Sequence, residues 1–201
     1  MIELVLGGIL GYLLGAVPTG VLVCQVFRGL DVREHESGHT GGMNVSRVAG
    51  LGAGAFTAVV DLLLGVGAVV GAMVLWDDPW VITVAGVMAI VGHNWSIFVR
   101  FGGGMGLSTL VGALLGGGMI YRSPWAVLLA AVIAAAFWFL LIKFLRVHRA
   151  RATIAAMVII GPLLWALGGS TLSLQVILLG VLGGVVVIIK TATDWNRQYN
   201  Q

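Results

Sequence analysis

Seven apolar runs divide this chain, at residues 4–27, 51–75, 80–98, 107–120, 124–142, 152–167 and 172–189, and Asp61 is the sole charged side chain inside them. About 20 residues of helix cross a hydrocarbon core about 30 Å thick. In that solvent every backbone N–H and C=O needs an internal partner, so such runs must be helices. The pattern predicts an all-α integral membrane protein, one domain of seven transmembrane helices over residues 1–201. The fourth and sixth runs are short and are expected to tilt little or to lie where the bilayer is thinned. Small residues such as Gly7, Gly8, Gly11 and Gly15 in the first run and Gly112 and Gly116 in the fourth are expected to let helices approach closely in lipid.

Charge placement orients the bundle. Only 9% of residues are charged and the mean hydropathy is +1.05, against about 25% charged residues in a soluble domain. Ten of the eleven basic residues (Arg28, Arg33, Arg47, Arg100, Lys143, Arg146, Arg149, Arg151, Lys190 and Arg197) fall on one side of a seven-span chain. The other side holds Arg122 with Glu3, Asp77 and Asp78. The positive-inside rule makes the first side cytoplasmic, with the N-terminus outside and the C-terminus inside. A basic n-region is lacking and the first run continues to Phe27, so it reads as a retained helix, not a cleaved signal. The net charge of +3 is spread over these short loops, which does not make a nucleic-acid surface. Cys24 is the one cysteine, which excludes an internal disulfide and a cysteine-built metal site. It reads as a small buried apolar residue.

The cytoplasmic side gathers the chemistry. Ser37-Gly38-His39-Thr40-Gly41-Gly42-Met43-Asn44-Val45-Ser46-Arg47 lies between the first two spans. Closely spaced glycines let backbone N–H groups converge on an anion, and Ser37, Thr40, Asn44 and Arg47 add side-chain donors. A second cluster, Gly102-Gly103-Gly104-Met105-Gly106 with Ser108 and Thr109, opens the fourth span. There it is either an anion seat at a helix N-terminus or a flexible interfacial turn. His93 lies near the cytoplasmic end of the third span, where position alone favours a packed, hydrogen-bonded role over a ligand contact. Asp61 is either functional or a polar clamp between helices, with Arg47 and His93 as candidate partners. The basic segment 143–151 reads first as a topology determinant with affinity for anionic lipid, and second as a recruiter of phosphorylated substrate. None of the four histidines has an aspartate five positions on, and no metal or nucleophile spacing stands out. Catalysis would then rest on placement and electrostatics.

Ser37-Gly38-x-x-Gly41-x-x-Asn44-x-x-Arg47 resembles the S-G-N-x-G-A-T-N-x-x-R motif of the bacterial acyl-phosphate:glycerol-3-phosphate acyltransferases, the PlsY family. Asp61-Leu62-Leu63-Leu64-Gly65 resembles its D-x-x-K-G. Gly92-His93 through Phe98, with Phe101-Gly102-Gly103-Gly104-Met105-Gly106-Leu107-Ser108-Thr109, resembles its G-H…F-K-G-G-K-G-x-A-T stretch. The resemblance implies a multi-pass enzyme of the bacterial inner membrane with no cofactor or metal and no acyl-enzyme. It would transfer a fatty acyl group from acyl phosphate to glycerol 3-phosphate, giving lysophosphatidic acid and inorganic phosphate. Its partners would be those two substrates and membrane lipid. Ser37, Gly38, His39, Thr40, Gly41 and Gly42 would surround the donor phosphate, with Asn44, Arg47 and His93 as the catalytic group. Gly103, Gly104, Gly106, Ser108 and Thr109 would seat the acceptor phosphate.

The sequence departs from the family pattern. His39 and Met43 stand for asparagine and threonine, Ser96 for proline, and Leu64, Gly102 and Met105 for three lysines. A lost buried charge partner is worth on the order of 2–5 kcal/mol, and Arg100 is the expected partial substitute. The family's C-terminal motif is reduced to Asp194-Trp195-Asn196-Arg197. These changes keep open a relative with another acceptor or a non-catalytic lipid-binding role. A small transporter using Asp61 and His93 is a further reading, disfavoured because the polar residues crowd one face and no inverted repeat is evident.

Overall fold

A computed structural model of the chain describes residues 1–169 and 172–195. Asn196 and Arg197 of the C-terminal stretch lie outside them. Among the described residues the α-helices are α1 (Ile2–Gly15), α2 (Thr19–Arg28), α3 (Gly42–Ala49), α4 (Leu51–Trp76), α5 (Pro79–Asn94), α6 (Leu107–Ile120), α7 (Pro124–Lys143), α8 (Arg149–Gly168) and α9 (Leu174–Ala192). Six segments are long and apolar enough to cross a membrane, counting Ile2–Arg28 as one, and α6 is a shorter apolar helix.

The first run is not one continuous helix. Pro18 has no N–H to donate and disfavours helical geometry in the residue before it, so α1 stops at Gly15 and Pro18 caps α2. The freed Ala16 carbonyl accepts the Ser96 hydroxyl, while Tyr12 Oη donates to the Trp95 carbonyl at 2.8 Å and accepts the Ile97 N–H at 3.1 Å. The break therefore ties α1 to the turn that follows α5.

Small residues set the helix spacing, as their number suggests. A Cβ on Gly11 or Gly15 would lie 2.0 or 1.9 Å from the Ala85 or Ala89 carbonyl oxygen of α5. Gly65 and Gly112 bring α4 and α6 together in the same way, against the Thr109 and Leu62 carbonyls. Ile90, Leu110, Leu114, Leu164, Val176 and Leu179 fill the centre between α5, α6, α8 and α9. Phe56, Leu63, Trp125, Val132, Phe139 and Trp165 point outward, which only an apolar solvent tolerates at this density. Cys24 is buried with Val23, Val32, Val45 and Ala53.

Two expectations need correction. The sixth run is a full 20-residue helix, because Arg149–Arg151 continue it into the basic segment. Residues 28–50 are not only loop, since α3 forms within them, burying Val45 against α2 and α4. The fourth run does stay short. Its 14 residues rise about 21 Å from the N-cap at Gly106.

Candidate active site

One end of the bundle holds a cavity of about 320 Å³, walled by the Ser37–Arg47 segment, α4, the turn into α6, α7, α8 and α9. Ser37, His39, Gly41, Gly42, Asn44, Arg47, Asp61, His93, Gly106 and Ser108 line it. So the two glycine clusters, far apart in sequence, face one space.

The helix caps explain what the cavity offers. α5 and α9 begin with side-chain caps: Asp78 accepts the Trp80 N–H at 2.7 Å, and the Ser173 hydroxyl accepts the Val176 N–H at 3.4 Å. α3 and α6 begin instead at Gly41 and Gly106, with no side-chain cap. Among the described residues, the N–H groups of Gly41, Gly42 and Met43, and those of Leu107, Ser108 and Thr109, donate no hydrogen bond. Two uncapped helix N-termini thus open on the same cavity, each with a partial positive charge of roughly half a unit. Such ends bind phosphate groups readily.

The glycines of the first cluster serve three different ends. Gly38 takes a left-handed φ of 69°. At Gly42 a Cβ would lie 2.5 Å from the Gly54 carbonyl of α4. Gly41 has ordinary extended angles and open space where a Cβ would sit. Neither strain nor packing requires glycine there, and its bare Cα leaves the α3 N–H groups accessible from the cavity.

Asn44 organises the segment around them. Its Nδ2 donates to the Val32, His35 and His39 carbonyls at 3.1, 3.2 and 2.9 Å, and its Oδ1 accepts the Ser37 N–H at 3.1 Å. The carboxamide is committed to loop backbone at both ends. Outside the cavity Arg33 grips Asp31 at 2.6 Å and donates to the Val99 carbonyl at 3.3 Å. The hydrogen bonds from Arg33 to Asp31 hold that carboxyl below the usual carboxylate range.

His93 and Asp61 meet at the inner wall, with Nδ1 and Oδ1 3.8 Å apart and both residues buried. Of the two partners expected for Asp61, the structure brings up His93. Gly104 fits between the His93 ring and the first cluster: a Cβ there would lie 2.2 Å from His93 Nε2 and 3.2 Å from the Gly41 nitrogen. The Gly104 N–H donates to the His93 carbonyl at 3.1 Å, and the Thr40 N–H to the Gly103 carbonyl at 3.4 Å.

Other expected residues lie off the cavity wall. Gly38, Thr40, Gly103 and Gly104 support the wall from behind, and Thr109 is buried against α4. Arg100 is exposed and away from the cavity, because Arg100 and Phe101 both take left-handed φ (56° and 59°) and turn the chain outward. It does not replace a cavity lysine. Met105 lines the cavity and its sulfur meets the Thr191 hydroxyl at 3.7 Å. Arg149, Trp138, Thr153 and Thr191 also line it; of these only Arg149 falls in a stretch that the sequence pattern marks, the basic segment 143–151. His39 contacts Asp194 at 3.3 Å, joining the first segment to the end of α9.

A family model for glycerol-3-phosphate acyltransferases matches residues 5–201. A glycerol-3-phosphate acyltransferase of Rubrobacter xylanophilus is 48% identical over 101 residues, half of each chain. One of Geobacillus kaustophilus is 43% identical over 101 residues, 50% of this chain and 51% of that one. These alignments thus span about half the length of the curated relatives. The glycerol 3-phosphate form of PlsY (YgiH), an integral membrane glycerol 3-phosphate acyltransferase, superposes with a TM-score of 0.78 at 26% identity, over 96% of this chain and 90% of that one. Its lysophosphatidic acid form gives 0.77 at 25%, with the same coverage.

Proposed function

This chain belongs to the glycerol-3-phosphate acyltransferase family, and on that footing we propose that it transfers a fatty acyl group from acyl phosphate to glycerol 3-phosphate. The product is lysophosphatidic acid. The observation that carries the reading is the opening of two uncapped helix N-termini, α3 and α6, on one cavity that also holds Arg47 and His93. Two phosphate-bearing substrates need two such seats. The apolar outer surface of the bundle supplies the lipid surroundings that an acyl chain requires. We place the protein in the bacterial inner membrane with seven crossings, the N-terminus outside and the cavity at the cytoplasmic end, on the strength of its basic loops.

The donor phosphate accepts hydrogen bonds from the Gly41–Met43 N–H groups beside Ser37, and Arg47 offsets its charge. Asn44 shapes the cradle, and Gly38, His39, Thr40 and Gly42 complete it. The α6 end, with Gly106 and Ser108, receives the acceptor phosphate; Gly103, Gly104 and Thr109 support it. His93, held beside Asp61, orients the reacting groups. The acceptor hydroxyl oxygen attacks the acyl carbonyl carbon. The bond to the phosphate oxygen breaks with its electron pair on phosphate, and the hydroxyl proton leaves with the released phosphate. The rate gain comes from placement and fixed dipoles. Incubating the purified chain with acyl phosphate and labelled glycerol 3-phosphate tests this: labelled lysophosphatidate should form, and its absence above background refutes the reading.

Met105 favours a second reading, because it puts a thioether on the cavity wall where the family motif carries a lysine. A relative with a different acceptor would gain glycerol 3-phosphate affinity from Met105→Lys. Unchanged weak binding in that variant counts against it.

A further inference from the structure

We infer that Arg149, the first residue of α8, is the phosphate-binding cation for the acceptor. The inference rests on the two-substrate reading above and adds a residue that the resemblance does not supply.

Charge balance shows why a second cation is needed. Two phosphate monoester-like groups carry about −1.5 to −2 each near neutral pH, and each helix N-terminus offsets roughly half a charge. Among the described residues Asp61 is the one carboxylate on the cavity wall, and it faces His93. Arg47 and Arg149 are the two Lys or Arg side chains among the described residues that line it. Neither makes a hydrogen bond or ion pair among the described residues. A cavity with Arg47 alone would leave the second phosphate almost uncompensated.

The local structure fixes Arg149 in place. The His148 ring nitrogen Nδ1 accepts the Ala150 N–H at 3.3 Å and caps α8. The Thr153 hydroxyl donates to the Arg149 carbonyl at 3.0 Å and accepts the indole N–H of Trp138 from α7 at 3.0 Å. This strut pins the first turn of α8 to the cavity wall. From a backbone held this way the guanidinium can offer planar paired donors matched to phosphate oxygens. Arg149 also follows residues 143–146, which are exposed. Arg47 belongs to α3, whose N-terminus is the donor cradle, which leaves Arg149 for the second phosphate.

The test uses the full chain in phosphatidylglycerol-containing nanodiscs, with steady-state kinetics and calorimetric binding of glycerol 3-phosphate. Arg149→Ala should raise KM for glycerol 3-phosphate about 10- to 100-fold, move KM for acyl phosphate by less than about 3-fold, and lower affinity in calorimetry. Arg149→Lys should recover part of the loss, and Thr153→Val, which removes the strut, should raise the same KM. Arg146→Gln, an exposed neighbour outside the cavity, should change neither constant. An unchanged acceptor KM, or an equal rise for both substrates, overturns the assignment. So does a loss of nanodisc association shared by Arg149→Ala and Arg146→Gln with acceptor affinity intact, which would make the segment a lipid anchor. If the native chain forms no lysophosphatidate, the acyltransferase reading fails. Calorimetry then still decides the inference: glycerol 3-phosphate binding lost in Arg149→Ala supports it, and binding indifferent to Arg149, or none, overturns it.

Discussion

Adding one methyl group at Gly104 should disable the site while leaving the bundle folded. The Cβ of Gly104→Ala would lie 2.2 Å from His93 Nε2, 3.1 Å from its Cδ2 and 3.2 Å from the Gly41 nitrogen. Ordinary contact is about 3.4 Å or more, so the imidazole must move by about 1.2 Å. The ring has little room, because Asp61 stands 3.8 Å from Nδ1 and His93 is 7% exposed. Overpacking of this kind costs about 1–3 kcal/mol, and a misplacement of about 1 Å at a reacting centre can cost about 100-fold in rate. Gly104 does not take a left-handed φ, so the backbone accepts alanine and the effect is steric. The assay is kcat/KM for lysophosphatidate formation beside thermal unfolding, with Gly102→Ala as the comparison. At Gly102 the nearest atom would be the Val99 carbonyl oxygen at 3.1 Å, outside the cavity wall. Gly104→Ala should lose about 100-fold in kcat/KM with a modest fall in stability, and Gly102→Ala should lose less than about 5-fold. Equal activity in the two variants would refute the placement of His93 against the second glycine cluster.

Asn44→Ala strands the Ser37 N–H and three carbonyls, at about 1–3 kcal/mol for each buried group that finds no water; hydrogen exchange at Ser37 should accelerate before global unfolding. Gly41→Ala should leave thermal stability within about 0.5 kcal/mol yet weaken donor binding, because its methyl enters open space at the mouth of the α3 N–H groups; unchanged KM for acyl phosphate contradicts that. Tyr12→Phe removes two hydrogen bonds between α1 and the 95–97 turn and should cost about 1–2 kcal/mol in denaturation. Asp31 has its carboxyl pulled below the usual value by Arg33, so its pairing stabilises the loop above the unfolded carboxylate pKa and is lost as pH falls through the lower folded value. Asp31→Asn should flatten that acid limb, by no more than about 1 kcal/mol at this exposed site.

The long apolar helices were legible because hydrocarbon leaves the backbone few choices, and nearly charge-free runs of this length have one stable form. The break at Pro18 was written in the sequence too, but an uninterrupted apolar run conceals it unless the missing N–H is counted. Eight-residue α3 was not legible, since so short a helix draws its stability from burying Val45 and not from periodicity. The two glycine clusters do border one cavity, although half of the expected binding residues lie off its wall. Arg100 sits beside the cluster in sequence, but two left-handed residues send it outward. Arg149 is 102 residues from Arg47 in the chain, and only the packing of α7, α8 and α9 puts it on the same cavity. Its neighbours in sequence are basic, so it read as part of a lipid-facing charge run.

On the proposed reading one cavity holds both phosphates. The most direct measurement is an experimental structure of the chain with glycerol 3-phosphate and a non-hydrolysable acyl phosphate analogue bound together. One phosphorus should lie at the Gly41–Met43 N–H groups and the other between the α6 N-terminus and Arg149, with the acceptor hydroxyl facing the acyl carbon. Either phosphate outside this cavity, or mutual exclusion of the two ligands, would contradict that reading.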